Sequence, residues 1–244
     1  MWMTVAAAVV WGALAGWLIL PAAYRLAIPV GGSRPTRCPD GHLLAEGMHG
    51  WITGPYCRGG AHFYRAGRAG WGAPLATALA CLALAASTGL RPELLVWMLI
   101  LPWGVLLAVI DVRVHRLPDL LTLPLAAAAI SLLGVAALFP GAGGSWQTAV
   151  LGSLSMSGLF LLMFLISPKA MGFGDVKLSL ALGGVLGWYG WGALLVGLFA
   201  GYLIAAIHGI VLMVRGKASR STALPFGPAL LAGTLVGAIW GGTV

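Results

Sequence analysis

Eight runs of about 14 to 23 nearly uninterrupted apolar residues, over positions 3–24, 72–90, 94–110, 120–139, 146–166, 177–190, 192–214 and 223–243, make up most of this chain. A helix needs about 20 such residues to cross a bilayer, whereas the strands of a membrane barrel would alternate in polarity over about 10. The runs therefore predict an all-α polytopic membrane protein with about eight transmembrane helices. Composition leads the same way. Of 244 residues 60% are hydrophobic and 8% charged, against roughly 25% charged in a soluble domain, so a water-soluble fold is excluded. The sixth run is the shortest, and it ends in Trp188, Tyr189 and Trp191, aromatic residues suited to the membrane–water interface.

The formal charge of +8 would suggest a nucleic-acid partner in a soluble protein. Here the basic residues stand singly between apolar runs, the pattern that fixes which loops stay in the cytosol, so the lipid bilayer is the partner and nucleic acid is not. The first run has no basic residue before it and Arg25 directly after it, the reverse of a secretory signal. It is expected to be retained, with the N-terminus outside. Eight crossings from that start place thirteen of the fourteen basic residues inside and only Arg91 outside. The organisation that follows is a first transmembrane helix over 1–30, a glycine- and arginine-rich cytosolic loop domain over 31–70, and a seven-helix core over 71–244. Three cysteines give no disulfide framework. Cys81, inside the second run, reads as a small buried apolar residue. Gly183 with Gly187 and Gly197 with Gly201 have the spacing that lets helix backbones approach closely in lipid.

With only six acidic residues, their position decides the chemistry. Asp40 and Glu46 fall in the loop and Glu93 in a short outer turn beside Arg91, where all three read as solvated charges. Asp111, Asp119 and Asp175 instead sit at the inner ends of apolar runs, where a carboxylate is costly and usually functional. Asp111 closes the third run and Asp119 opens the fourth, in D-V-R-V-H-R-L-P-D, with Pro118 starting the new helix. Asp175 ends Met171-Gly-Phe-Gly-Asp175 at the mouth of the sixth run, and Gly172 and Gly174 permit unusual backbone angles or a close approach there. Two carboxylates at one depth in a site of low polarity share a proton, one acting as base and the other as acid. The plain alternative is that each caps a helix or pairs with Lys177 or His115.

In these stretches the chain resembles the prepilin peptidases, the type IV leader peptidase family of GxGD intramembrane aspartic proteases. The resemblance rests on Asp111 through Asp119, on Gly172-Phe-Gly-Asp-Val-Lys-Leu178 and on Leu224-Pro-Phe-Gly-Pro228, three motifs in family order. It implies that Asp111 and Asp175 are the catalytic pair, that Asp119, Gly172, Gly174 and Lys177 support them, and that Pro225, Phe226, Gly227 and Pro228 line a substrate entrance. It implies prepilin or pseudopilin precursors as substrates, cut between a short basic leader and a hydrophobic helix at the cytosolic face of a prokaryotic plasma membrane. No cofactor is implied for proteolysis.

Many members of that family also methylate the new N-terminus, with a loop after the first helix that often carries two Cys-x-x-Cys pairs. This chain has Cys38-Pro-Asp-Gly41 and Cys57-Arg-Gly-Gly60, each without its second thiol, so a four-thiolate zinc site is excluded within the chain. Cys38, His42, Cys57 and His62 are the weak remaining candidates for a metal site. S-adenosylmethionine enters only if methyl transfer is retained. Two rival functions use the same residues: a proton-coupled transporter, which would place acids near mid-span, and an inactive assembly scaffold.

Overall fold

A computed structural model of the chain describes residues 2–28, 71–168, 171–217 and 224–244, together with isolated positions between 32 and 63 and Ser219. Among these residues the chain forms α1 (Trp2–Leu26), a small hairpin of β1 (Tyr56–Cys57) and β2 (Gly60–Phe63), then α2 (Gly72–Thr88), α3 (Glu93–Val114), α4 (Asp119–Ala136), α5 (Trp146–Ile166), α6 (Phe173–Trp188), α7 (Trp191–Val214) and α8 (Gly227–Thr243). Each helix coincides with one apolar run. In lipid a backbone must satisfy its own hydrogen bonds, and a helix does so within a single segment. Five of them, α1, α3, α4, α5 and α7, are long and apolar enough to cross a membrane; α2, α6 and α8 have 17, 16 and 17 residues. The chain is a multi-pass, all-α membrane protein.

The short sixth helix has a physical reason. α6 packs against α4, α5, α7 and α8, and twelve of its sixteen residues are buried. A helix enclosed by other helices need not match the thickness of lipid. α7 shows the converse, with Leu195 and Phe199 exposed along a mostly uncovered surface, as suits a helix facing acyl chains. Glycine allows the tight contacts around α6. A methyl group added at Gly152 of α5 would lie 2.6 Å from the Gly183 carbonyl oxygen and 2.8 Å from the Gly187 Cα. Gly197 of α7 has α8 as its neighbour, near the Gly233 carbonyl oxygen. Cys81 is fully buried in α2 and meets Gly12 of α1.

The sixth run ends differently from the expected aromatic belt. Trp191 is exposed, but Trp188 is buried and packs on Gly144 of the α4–α5 loop. Tyr189 accepts a hydrogen bond from Trp97 Nε1 at 3.0 Å. Gly190, at φ +96°, then turns the chain into α7, a backbone angle that favours glycine.

Glu93 corrects the reading from sequence. It is fully buried rather than solvated, and both of its carboxylate oxygens accept the Gly143 backbone N–H, at 3.1 and 3.2 Å. A buried carboxylate needs such partners, and the α4–α5 loop folds over the start of α3 to supply one.

Of the expected loop domain, the described parts are the hairpin, with Tyr56 opposite Phe63 and Cys57 opposite Gly60, and a bridge between Arg37 and Leu43. Two contacts tie this segment to the end of α1: Tyr24 donates its hydroxyl to the Arg37 carbonyl at 3.1 Å, and the Arg25 guanidinium lies 5.4 Å from the centre of the Trp51 ring. Of the weak metal candidates, Cys38 and the side chains of Cys57 and His62 lie outside the described residues.

Candidate active site

Asp111 stands in the last turn of α3 and Asp175 in the first turn of α6, both buried. The helices reach further than the apolar runs suggested. α3 continues to Val114 and α6 begins at Phe173, so both acids are set on helix rather than on loop. A side chain on a helical turn is held more rigidly than one on a connecting loop.

α3 ends in a left-handed residue, His115 at φ 50° and ψ 40°, whose N–H closes on the Asp111 carbonyl at 2.8 Å. The chain then turns through Leu117 and Pro118 into α4. Asp175 is the third residue of α6, and its backbone N–H closes on the Gly172 carbonyl just ahead of the helix at 3.0 Å. Helix N-termini favour negative charge at this position. Leu117, just beyond the end of α3, packs on Gly174 beside Asp175, so the helix ends that bear the two carboxylates lie together.

The third member of the site comes from α8. Gly227 donates its backbone N–H to Asp111 Oδ2 at 3.0 Å, so the carboxylate of Asp111 caps the start of that helix. A methyl group at position 227 would lie 2.8 Å from the same oxygen. The Pro225–Pro228 stretch, expected at a substrate entrance, thus also holds one of the two acids. α8 packs against α3 and α6 alike, and it spans the gap between the helices that bear the aspartates.

The two glycines of the G-F-G-D motif differ. Gly172 has an ordinary extended backbone, at φ −74° and ψ 141°, and a methyl group there would find Asp175 Oδ2 at 3.5 Å and the Gly174 nitrogen at 4.0 Å, both ordinary contacts. At Gly174 the same methyl would lie 2.9 Å from the Leu117 Cβ. Gly174 therefore serves the close approach, letting the α3–α4 turn seat Leu117 against the turn that carries Asp175.

Asp119 lies apart from the buried pair. It is largely exposed and forms an ion pair with Lys177 Nζ at 2.7 Å. Lys177 also sits 4.8 Å from the centre of the Phe173 ring. The pair joins the first residue of α4 to the fifth of α6, and an exposed ion pair of this kind contributes little to stability.

Aromatic residues of α5, α6 and α7, with Phe226 just ahead of α8, cluster beside the site, and sequence reasoning did not single out most of them. Phe226 stacks 5.3 Å from Tyr202 of α7 and 6.3 Å from Phe160 of α5. Phe164 lies 5.3 Å from Phe173. The Tyr202 hydroxyl donates to Met163 Sδ at 3.2 Å. Single aromatics inside apolar runs give no signal of a shared location, because the helix packing alone brings them together.

The chain matches the type IV leader peptidase family over residues 98–213, a stretch that includes both aspartates. It is 36% identical over 150 residues to the prepilin leader peptidase/N-methyltransferase of Pseudomonas aeruginosa, covering 59% of this chain and 49% of that protein. The similarly named protein of Pectobacterium carotovorum is 37% identical over 185 residues, 69% of this chain and 61% of its own length. That of Aeromonas hydrophila is 34% identical over 176 residues, 70% and 58%. The chain spans about half the length of the first of these relatives. No solved structure matches it. The match over residues 98–213, which takes in Asp111 and Asp175, together with 34–37% identity to these three proteins, makes the chain a relative of the type IV leader peptidase family.

Proposed function

We propose that the chain is a membrane-embedded aspartic endopeptidase that removes the short basic leader of prepilin-like precursors. The observation that supports this reading is a pair of buried carboxylates, Asp111 in the last turn of α3 and Asp175 in the first turn of α6, with the start of α8 bound to the first of them. The distribution of basic residues directs this end of the molecule to the cytosol, at the plasma membrane of a prokaryote. A precursor would present the bond between its polar leader and its apolar helix at that depth.

The chemistry follows from the pair. With one proton between them, the ionised carboxyl takes a proton from water as the water oxygen attacks the peptide carbonyl carbon. The protonated carboxyl gives its proton to the amide nitrogen, the C–N bond breaks, and the leader leaves with a new carboxyl group. The mature segment keeps a free amine. Gly227 holds Asp111 in position from one side. All three candidate aspartates lie in the first or last turn of a helix, whereas a proton-coupled transporter would place acids near mid-span.

The proposal is confined to proteolysis. The names of the relatives join a methyltransferase activity to the peptidase, but the matched stretch does not include residues 31–70, and that segment has half of the thiols expected of a four-cysteine site.

The purified chain in liposomes should shorten a prepilin precursor. Asp111→Asn or Asp175→Asn should each lower the rate by ~100- to 10,000-fold, the range of general acid–base catalysis, while the protein still inserts. Asp119→Asn should retain far more activity, because its side chain stands outside the buried pair. Near-normal cleavage by Asp111→Asn beside an inactive Asp119→Asn would overturn the assignment.

A further inference from the structure

Between α2, α3, α6 and α8 lies a cavity of about 470 Å³, and neither aspartate of the candidate pair lines it. On α3 the lining residues recur at every third and fourth position from Trp97 to Arg113, one face of that helix, over about 24 Å at the rise of a helix. Spread over that length, the volume leaves a mean cross-section of about 20 Å². A helix with its side chains is about 10–12 Å across and needs several times that area; a single polymethylene chain does not. The wall has almost nothing polar to offer an occupant. The Thr234 hydroxyl is given to the Leu230 carbonyl at 2.9 Å, and Trp97 gives its indole N–H to the Tyr189 hydroxyl at 3.0 Å. Only Arg113 among the lining residues is charged. It is half-buried in the last turn of α3, where the apolar run meets water, and among the described residues it has no hydrogen-bond or ion partner.

We propose that this cavity is a phospholipid site, in which one acyl chain lies between the four helices and the headgroup phosphate meets Arg113. A narrow apolar slot with one unspent cation at its end has the outline of a lipid. Guanidinium binds phosphate oxygens through paired N–H donors, and basic pockets between spanning helices at the membrane surface hold anionic headgroups. One leaflet's share of the ~30 Å hydrocarbon core is about 15 Å, so the cavity covers the whole depth of a chain that enters beside Arg113. An extended peptide would bring backbone N–H and C=O groups that this wall leaves unpaired, each at a cost. A second copy of the chain would have to insert a helix, for which the width is too small. The site stands apart from the peptidase reading and does not depend on it.

The test uses the full chain, purified in mild detergent and stripped of lipid, with phosphatidylglycerol added back and bound lipid counted by native mass spectrometry. One tightly held lipid per chain is expected, and lyso-phosphatidylglycerol should bind about as well, since the cavity holds one chain. Glycerol phosphate, which has the headgroup alone, and diacylglycerol, which lacks the phosphate, should each bind at least about tenfold more weakly. Arg113→Gln should weaken phosphatidylglycerol about tenfold. Ala108→Phe, which fills the cavity, should remove the tight lipid, while Leu195→Phe on the exposed face of α7 should leave it. A second measurement needs no variant: in liposomes, a phosphatidylglycerol with a diazirine at the end of one acyl chain should label the native chain around Trp97 and Leu84. No label there, or equal binding by the native chain, Arg113→Gln and Ala108→Phe, would show surface lipid only and overturn the site. Glycerol phosphate bound as tightly as the lipid, or a second copy of the chain captured in its place, would overturn it too.

Discussion

Glu93 and Asp111 are buried acids near opposite ends of one helix, α3, and their surroundings differ in kind. Both oxygens of Glu93 accept the Gly143 N–H, and the Arg91 guanidinium converges on the same glycine. Arg91 in turn donates to the Gly242 carbonyl at 3.3 Å, and Trp97 and Thr88 meet at the Tyr189 hydroxyl close by. This network fastens the α2–α3 turn, the α4–α5 loop and the ends of α6 and α8 to one another. Asp111 receives the Gly227 N–H on one oxygen, and a second buried carboxylate, Asp175, stands at the start of α6, against which the turn after α3 packs. A buried carboxylate surrounded by donors is stable and inert, whereas one set against another carboxylate keeps a proton to exchange. On the proposed reading, one helix carries a structural acid at one end and a chemical one at the other.

The sharpest way to break this contrast is Gly227→Ala. The added methyl would sit 2.8 Å from Asp111 Oδ2, so the carboxylate must move. A displacement near 1 Å can cost ~100-fold in rate. The expected result is a cleavage rate lowered about that much in a protein whose thermal stability in detergent is little changed. An unaltered rate would show that the contact with α8 does not position Asp111.

The two glycines before Asp175 should separate next. Gly174→Ala presses on Leu117 and should slow cleavage by about tenfold, since it shifts the turn that carries Asp175. Gly172→Ala meets only ordinary contact and should remain within about threefold of the native rate, as substitutions free of strain do. Rates for the two variants, measured side by side on one precursor, check the order.

Glu93→Gln should affect cleavage least. Replacing a buried acceptor that binds a backbone N–H costs roughly 1–3 kcal/mol of stability, so the midpoint of thermal unfolding in detergent should fall. The kcat at a temperature where the protein is folded should not. A loss of kcat with unchanged stability would place Glu93 in the chemistry and dissolve the comparison.

Much of this could be read from the residues, and the exceptions have physical causes. Apolar runs locate the helices because a membrane imposes one solution on each run, so each of α1 to α8 overlies its run. Asp111 and Asp175 stood out because an acid that closes or opens an apolar run is expensive unless it is used. Glu93 was misread because a charge in a short turn looks solvated until a distant loop covers it, and the Gly143 N–H that receives it lies fifty residues away. The grip of Gly227 on Asp111 was hidden for the same reason, at a separation of 116 residues. Boundaries moved where polar residues joined a helix, as at Phe173–Asp175, because the enclosing helices supply the burial that hydropathy alone would have demanded of the sequence.

The central claim is that Asp111 and Asp175 act as one unit, and a double-mutant cycle tests it most directly. Cleavage of one precursor is measured for the native chain, Asp111→Asn, Asp175→Asn and the double variant, all shown to insert. Groups that share a proton fail together, so each single substitution should cost about as much as both. Losses that multiply in the double variant, or a single variant that cleaves at nearly the native rate, would contradict the account.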